Sequence, residues 1–383
     1  MSSAVSAWEV LSGEYLLSPG QWPSIAGQRP VLSGGRLGRL LQGQQGEPLG
    51  RSLASVFTLC AHAHRRCAAL AQAAARAESG VLVPDQVPVF LLLETARDHL
   101  RSIALDWPQR LPQLGVGSEQ MDWLRGCPLP LGTARAPGDA PAAWAALAAL
   151  RAWLESAVLQ QDAALWLADM RQPTALESWC AAEAARLLPA RCLAAWQPLA
   201  GSLGLSMHCL ELLDADPLRQ SQQLRALAHS LATESDFAQR PRWRGECVET
   251  GAWSRLRHRQ AGTRLPASAW TRLSARWLEL IELASAEPPV DGSAASSLLS
   301  SGALALGQRQ GLAWCEMARG LLLHWMQADA EGGVQDYRVL APTEWNFHPD
   351  GTLAQALAGL SADDSNAART LAAAFDPCVS CIV

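Results

Sequence analysis

Apolar residues recur at helical spacing over long parts of this chain. A helix is predicted from Pro48 or Ser52 to Arg76, where Val56, Cys60, His64, Cys67 and Leu70 share one face while His62 points elsewhere. Further helices are predicted over Val89–Leu105, Ala142–Met170, Ala175–Trp196, Leu353–Leu360 and Ala367–Phe375, with a helix or helix-flanked turn over Trp314–Met326. The Ala-rich segments 142–170 and 175–196 run from amphipathic to apolar all round, as helices at the centre of a bundle do. Short strands are predicted at Tyr15–Leu17, Pro30–Leu32 and Val334–Leu340, with a turn at Gly34-Gly35. Pro and Gly mark a loop from Trp107 to Pro141, and Pro, Gly and Ser a linker from Glu287 to Ser301. This is a mainly α pattern with small β elements (α+β), read as a single domain over 1–383. Residues 1–35 are irregular with short strands, 36–286 the helical core, 287–301 the linker, and 302–383 the C-terminal part.

Composition narrows the class. The chain has 383 residues, 49% apolar and 17% charged, which is a globular and not a disordered balance. All 31 basic residues are Arg, so neither Schiff-base chemistry nor a P-loop lysine is available. A net charge of -5 argues against general nucleic-acid binding. Nine Arg and four Trp (Trp243, Trp253, Trp270, Trp277) lie between Arg240 and Trp277, and they read as a solvated or partner-docking surface. The most apolar stretch, Pro141 to Leu167, carries Arg151, Glu155 and Asp162, too many charges for a membrane span. The first basic residue is Arg29, so signal and transit peptides are not expected and the cytoplasm is the expected location. There the ten Cys stay reduced, which leaves metal or redox roles for them.

Two groups of residues carry candidate chemistry. Cys378-x-x-Cys381 lies within the last eight residues, and Cys60 with His64 sits on the predicted helix face. Alone, the Cys pair suits zinc, iron–sulfur or redox sites, although the redox reading lacks its βαβ context. Cys60, His64, Cys378 and Cys381 together satisfy the tetrahedral preference of zinc. The stripe with Cys60 and His64 reads equally well as core.

Five collinear stretches resemble nickel–iron hydrogenase large subunits. Asp376-Pro377-Cys378-x-x-Cys381 is similar to their C-terminal metal motif, and Phe57-x-x-Cys60-x-x-x-His64 to their N-terminal Cys-x-x-Cys-x-x-x-His with the first Cys replaced. Glu249–Arg255 resembles Glu-Val-Gly-Pro-Leu-Ala-Arg, Glu316–Gly320 with His324-Trp325 resembles Glu-x-Pro-Arg-Gly…His-Trp, and Pro342–Asn346 with Pro349 resembles Pro-Ser-Thr-Trp-Asn…Pro. By this resemblance Cys60 and Cys381 match the cysteines that bridge iron and nickel. Cys378 matches one nickel-only cysteine, and Phe57 takes the place of the other. The resemblance thus implies an iron site that is kept and a nickel site that is damaged.

Other departures point the same way. The sequence stops at Val383, without the His and the cleavable tail that follow the last cysteine in hydrogenases, and it has no Arg-Ile-Glu-Gly-His-like stretch, Glu9 and Glu14 being mere neighbours. The combination is similar to the HupK/HoxV-type hydrogenase maturation proteins. That likeness implies a non-catalytic scaffold that transiently holds iron with cyanide and carbonyl ligands, with nickel unlikely. Its implied partners are HypC/HypD-type chaperones and the hydrogenase large-subunit precursor. Cys60, Cys378 and Cys381 are then the metal residues, supported by His64 donating to a cysteine sulfur, by Arg319 facing the diatomic ligands, and by Glu316. The plain alternative for Glu316 and Arg319 is an i, i+3 helix pair. A degenerate hydrogenase subunit and a zinc-stabilised interaction protein are the competing functions. The Cys pair is expected to be mobile when empty and ordered when loaded.

Overall fold

A computed structural model describes residues 13–383 apart from 33–34, 79, 81, 86–87, 112–113, 115–117, 133–138, 173, 214–215, 260–266 and 290–297. In chain order it contains β1 (Glu14–Leu17), β2 (Ile25–Gln28), α1 (Arg36–Leu41), α2 (Gly46–Val56), α3 (Ala61–Arg76), β3 (Leu82–Asp85), α4 (Val89–Arg101) and α5 (Trp107–Arg110). Next come α6 (Ala140–Trp153), α7 (Ala163–Asp169), α8 (Ala175–Glu183), α9 (Leu188–Ser202), α10 (Pro217–Thr233), α11 (Ala252–Arg259) and α12 (Ala269–Ala284). The last part holds β4 (Ser301–Gly307), β5 (Gln310–Met317), β6 (Gly320–Ala328), β7 (Val334–Leu340), α13 (Pro342–Asn346), α14 (Thr352–Ala358), α15 (Ser365–Phe375) and β8 (Ser380–Ile382). The chain is mainly helical with small sheets, as its periodicity predicts.

Strands β3-β4-β5-β6-β7 form an antiparallel sheet covered on both faces. Successive side chains of a strand point to opposite faces. On β6 the set Leu321, Leu323 and Trp325 packs with Leu224, Leu227 and Leu231 of α10. The alternate set, Leu322 and Met326, joins Cys67, Ala68, Ala71 and Ala74 of α3 in the main core. With both faces buried, the segment 314–326 loses the apolar–polar alternation that marks a strand. The predicted helix or helix-flanked turn over Trp314–Met326 is instead the β5–β6 hairpin, turning at Ala318-Arg319.

Helix α12 is the hub of the helical part. Its start is fixed by a capping box between Ser268 and Thr271, and it packs against α4, α6, α9 and α15. The predicted helix 142–170 is interrupted by a π segment, Leu154–Leu159, and by Asp162, whose carboxylate caps α7. The predicted helix 175–196 divides at residues 184–187, with Pro189 in the first turn of α9. The stretch Ala140–Leu159, at a mean hydropathy of 1.3, is long and apolar enough by composition to cross a bilayer. Here it is a bundle helix, with Ala143, Leu147, Leu150 and Leu154 fully buried.

Several expectations need correction. Pro30–Leu32 is a 3-10 turn and not a strand. The helix predicted to reach Arg76 breaks at Phe57, where φ is −116° and ψ 69°, before the 3-10 turn Thr58–Cys60. The Arg/Trp-rich stretch is mostly core, because Trp253, Trp270, Trp277, Arg255, Arg272 and Arg276 are all buried on or between α11 and α12. Its exposed arginines are Arg240, Arg242 and Arg244 in the loop before α11, while Arg264 lies outside the described residues. Glu9, Gly34 and most of the 287–301 linker also lie outside them. The cysteine-bearing terminus forms β8, paired in parallel with β1 so that Tyr15 sits opposite Cys381.

Candidate metal centre

The break after α2 sets up the first cysteine. Phe57 leaves the helix, and Cys60 closes the 3-10 turn directly before α3, 5% exposed. The free N–H groups that begin α3 are met by a carboxylate from another helix: the His62 and Ala63 N–H groups donate to the two Glu94 oxygens at 2.8 and 2.9 Å. Glu94 on α4 therefore anchors the turn that presents Cys60.

His64, one turn further on, stacks flat on Phe57 at 3.9 Å between ring centroids and 4° between planes. Its Nδ1 lies 3.0 Å from His324 Nε2, and His324 Nδ1 lies 2.7 Å from the Tyr337 hydroxyl. His64 Nε2 is buried and has no protein partner. The expected bond from His64 to a cysteine sulfur is absent from this arrangement.

Burial alone holds the His324 imidazole down to about 3 from its ordinary 6.5. Between those values the unfolded chain takes up a proton that the folded chain refuses, so this group contributes stability above pH 6.5 that is lost as pH falls toward 3. We expect the stability gap between the protein and His324→Gln, measured by urea unfolding, to narrow by about 2 kcal/mol from pH 6.5 to pH 5. A gap independent of pH would show that His324 titrates normally.

The second pair of cysteines is delivered by α15. Arg276 on α12 donates from its two terminal nitrogens to the Ala373 and Ala374 carbonyls, both at 2.9 Å, and so satisfies the end of that helix. Asp376 follows in the left-handed region at φ 44°, and it accepts from the Ser102 hydroxyl at 2.7 Å. Cys378 Sγ lies 3.1 Å from Thr343 Oγ1, and Cys381 is held in β8. Both are half-buried.

Arg319 reaches in from the β5–β6 turn, buried, with Asp98 at 3.5 Å and Asp376 at 3.6 Å. Burial pushes the Asp98 carboxyl up to about 7, with Arg319 opposing and Glu94 reinforcing it. Burial pushes Asp376 up too, but Arg276 and Arg319 outweigh it and hold that carboxyl at about 2. The Cys60 thiol is driven well above its ordinary value by burial and then by Cys378 and Glu94, with Arg319 pulling the other way. Burial takes Cys381 up to about 12 against the pull of Arg110, and Cys378 adds to the rise. Cys378 is thus the electrostatic neighbour of both other cysteines. A cleft of about 550 Å3 opens over Cys378 and Cys381, lined also by Arg319, Asp376, Trp107 and Arg110.

Glu316 stands apart. Its carboxylate accepts from the Ser300 N–H at 2.8 Å and feels Arg255 and Glu279, so the helix-pair alternative with Arg319 does not hold. Among the described residues no group of three or more His, Cys, Asp or Glu is arranged to hold a metal ion. A four-ligand zinc site on Cys60, His64, Cys378 and Cys381 therefore has no support in the geometry. The donors present suit a different guest. Arg319 Nε and Arg29 Nε are buried without hydrogen-bond partners, and both guanidiniums feel Cys60 and Cys378. Thiolates backed by unsatisfied guanidinium donors fit an anionic soft-metal group that brings acceptor ligands of its own.

Residues that the sequence reading missed support these groups. Arg29 is salt-bridged to Glu344 at 3.4 Å and lies over the Phe57 ring at 5.4 Å. Asp98 and Ser102 share the face of α4 and its continuation that holds Arg319 and Asp376. The available signal was the i, i+4 spacing of Glu94 with Asp98, and of Arg272 with Arg276, inside otherwise apolar helices.

Comparison with known proteins places this arrangement in a class. Residues 258–383, which carry Arg276, Arg319, Thr343, Cys378 and Cys381, match the nickel-dependent hydrogenase family. Over 96% of its length the chain is 39% identical to the hydrogenase expression/formation protein HoxV of Cupriavidus necator, covering 94% of that protein. It is 29% identical to HupK of Rhizobium leguminosarum bv. viciae over 90% of this chain and 88% of that one. A shorter likeness, 35% identity over 89 residues, links it to the hydrogenase-2 large chain of Escherichia coli K12, covering 21% of this chain and 15% of that one. The chain belongs to the HoxV/HupK family of hydrogenase expression/formation proteins.

Proposed function

We propose that this protein is a non-catalytic maturation factor which holds an iron centre with cyanide and carbonyl ligands and passes it to a nickel–iron hydrogenase large-subunit precursor. Its relatives are named as hydrogenase expression/formation proteins, which supports the maturation role. The single observation behind the finer reading is that Cys378 acts electrostatically on Cys60, Cys381 and Arg319 and shares one cleft with the last two.

In this reading Cys60 and Cys381 bind the iron, and Cys378 is the ligand through which it enters or leaves. An iron that brings its own diatomic ligands needs few from the protein, so a preformed cluster of three donors is not required. Arg319 donates to a cyanide nitrogen and offsets the negative charge. His64 Nε2, buried and unsatisfied, is free to donate to the same guest. Glu316 acts only at a distance, through the Arg255 and Glu279 network. Phe57 fills the place of a nickel ligand and packs it shut against His64 and Arg29, which disfavours nickel. Because burial keeps the Cys60 and Cys381 thiols protonated, binding releases protons and is tighter at higher pH. HypC/HypD-type chaperones are the proposed donors of the iron group, and the cytoplasm is the proposed site of exchange.

The test is metal analysis with infrared spectroscopy on protein purified from hydrogenase-producing cells. Iron with cyanide and carbonyl stretches and little nickel is expected, and the stretches should vanish in Cys60→Ala/Cys381→Ala. Cys378→Ala should keep the group but slow its transfer to the precursor. Zinc alone, or stretches that survive the double substitution, would overturn the mechanism. Stoichiometric nickel with hydrogen-dependent activity would favour a degenerate hydrogenase subunit.

A further inference from the structure

The cleft over Cys378 and Cys381 has an uneven charge balance. Four arginines line it, Arg101, Arg110, Arg319 and Arg369, against the two side-chain carboxylates Asp106 and Asp376 and the main-chain carboxylate of Val383. Two of the four are answered by carboxylates. Arg101 pairs with Asp106 at 3.1 Å, and Arg319 lies between Asp98 and Asp376. Arg110 and Arg369 form no salt bridge among the described residues, although Arg110 acts on Asp106 from a distance, and both are half-buried at the cleft while Arg319 is buried deeper. Arg110 instead interacts with the Cys381 thiol. The two come from different elements, α5 and α15, so the cleft itself brings them to one lining.

Unpaired guanidiniums held half-buried keep much of their charge unscreened, because low-dielectric walls focus the field into the opening. Trp107, Ala372 and Ala373 line the same cleft beside them. A cation or an apolar ligand gains nothing from such a mouth. A compact anion with several acceptor atoms satisfies both guanidiniums at once and, further in, meets the unpartnered Arg319 Nε.

We propose that Arg110 and Arg369 form an anion seat at the entrance of this cleft, which takes a cyanide-bearing iron anion in transit to or from the cysteines. The identity of the passing group rests on the function proposed above; the seat itself rests on the geometry. Cargo would pause at Arg110 and Arg369 and then exchange the outer guanidiniums for Arg319 as the thiols engage the metal. The seat is distinct from the binding residues: it lowers the barrier to loading and release without contributing a metal ligand.

The probe is hexacyanoferrate(II), a stable iron–cyanide anion, titrated into the full-length protein by calorimetry at several salt concentrations. Saturable binding to one site is expected, weakening with salt. Arg110→Gln and Arg369→Gln should each loosen it about tenfold, the effect of one charge-assisted hydrogen bond. Arg110→Lys/Arg369→Lys, which keeps the charge, should retain most of the affinity and guards against misfolding, with thermal unfolding checked for every variant. No saturable binding by the parent, or equal binding by Arg110→Gln/Arg369→Gln, overturns the seat. Probe binding that depends on both arginines, in protein that never carries diatomic stretches from cells, keeps the seat and removes the proposed cargo.

Discussion

Glu279→Ala is expected to lower stability by about 3–5 kcal/mol in urea unfolding, the cost of leaving a buried ionic group unpaired. Glu279 accepts from Arg255 at 2.8 and 2.7 Å and lies 2.8 Å from His99 Nε2, with Arg259 at 3.7 Å. Burial raises its pKa, yet Arg255 and His99 more than reverse this and hold it far below the carboxylate range. Removing it strands a fully buried guanidinium. Arg255→Met/Glu279→Leu should recover most of the loss, because a matched apolar pair replaces a buried ion pair at little cost. A penalty under about 1 kcal/mol, typical of a solvated surface pair, would show that water reaches this network. The consequence extends beyond stability, since α12 also carries Arg276, which holds the end of the helix leading to Cys378.

Gly311→Val should be the other severe change, by about 3 kcal/mol or more, at the upper end of overpacking costs. A Cβ at Gly311 would sit 2.3 Å from the Ala71 carbonyl oxygen, 2.6 Å from the Ala75 nitrogen and 2.9 Å from the Ala74 Cβ. Two of these are backbone atoms of α3, so no side-chain rotation relieves the clash and the helix must move off β5. Because Cys60 starts that helix, the proposed retention of iron should fall together with stability. Gly50→Ala is the control. Its new Cβ would meet Arg65 Cγ at an ordinary 3.5 Å, and replacing a mid-helix glycine should be neutral or stabilising by about 0.5–1 kcal/mol. Equal losses in both variants would mean that α3 does not depend on close approach to β5.

These two sites show what the sequence could and could not reveal. Helices such as α4 and α15 were legible because their apolar residues recur at helical spacing. The β5–β6 hairpin was not, since both its faces are covered and its apolar run carries no period. The charged residues of α11 and α12 misled for a related reason: Arg272 and Arg276 look solvated until their partners Glu249 and Asp376 are seen in space. The cysteines and Arg319 were legible through resemblance, whereas the supports of the site were not. Arg29, Glu94, Asp98 and Glu344 act through contacts between elements far apart in sequence, which neither spacing nor composition encodes. The expectation for His64 failed in detail because Nδ1 finds His324, a partner on β6, and only its Nε2 remains for a guest.

The parallel pairing of β8 with β1 has a further consequence, one of timing. Cys60 leaves the ribosome early, and the strand carrying Cys381 is the last element of the fold to appear. At ordinary elongation rates the two are separated by tens of seconds. A nascent chain can therefore fold its α3–sheet layer around Cys60 before the strand that carries Cys381 exists to pair with β1.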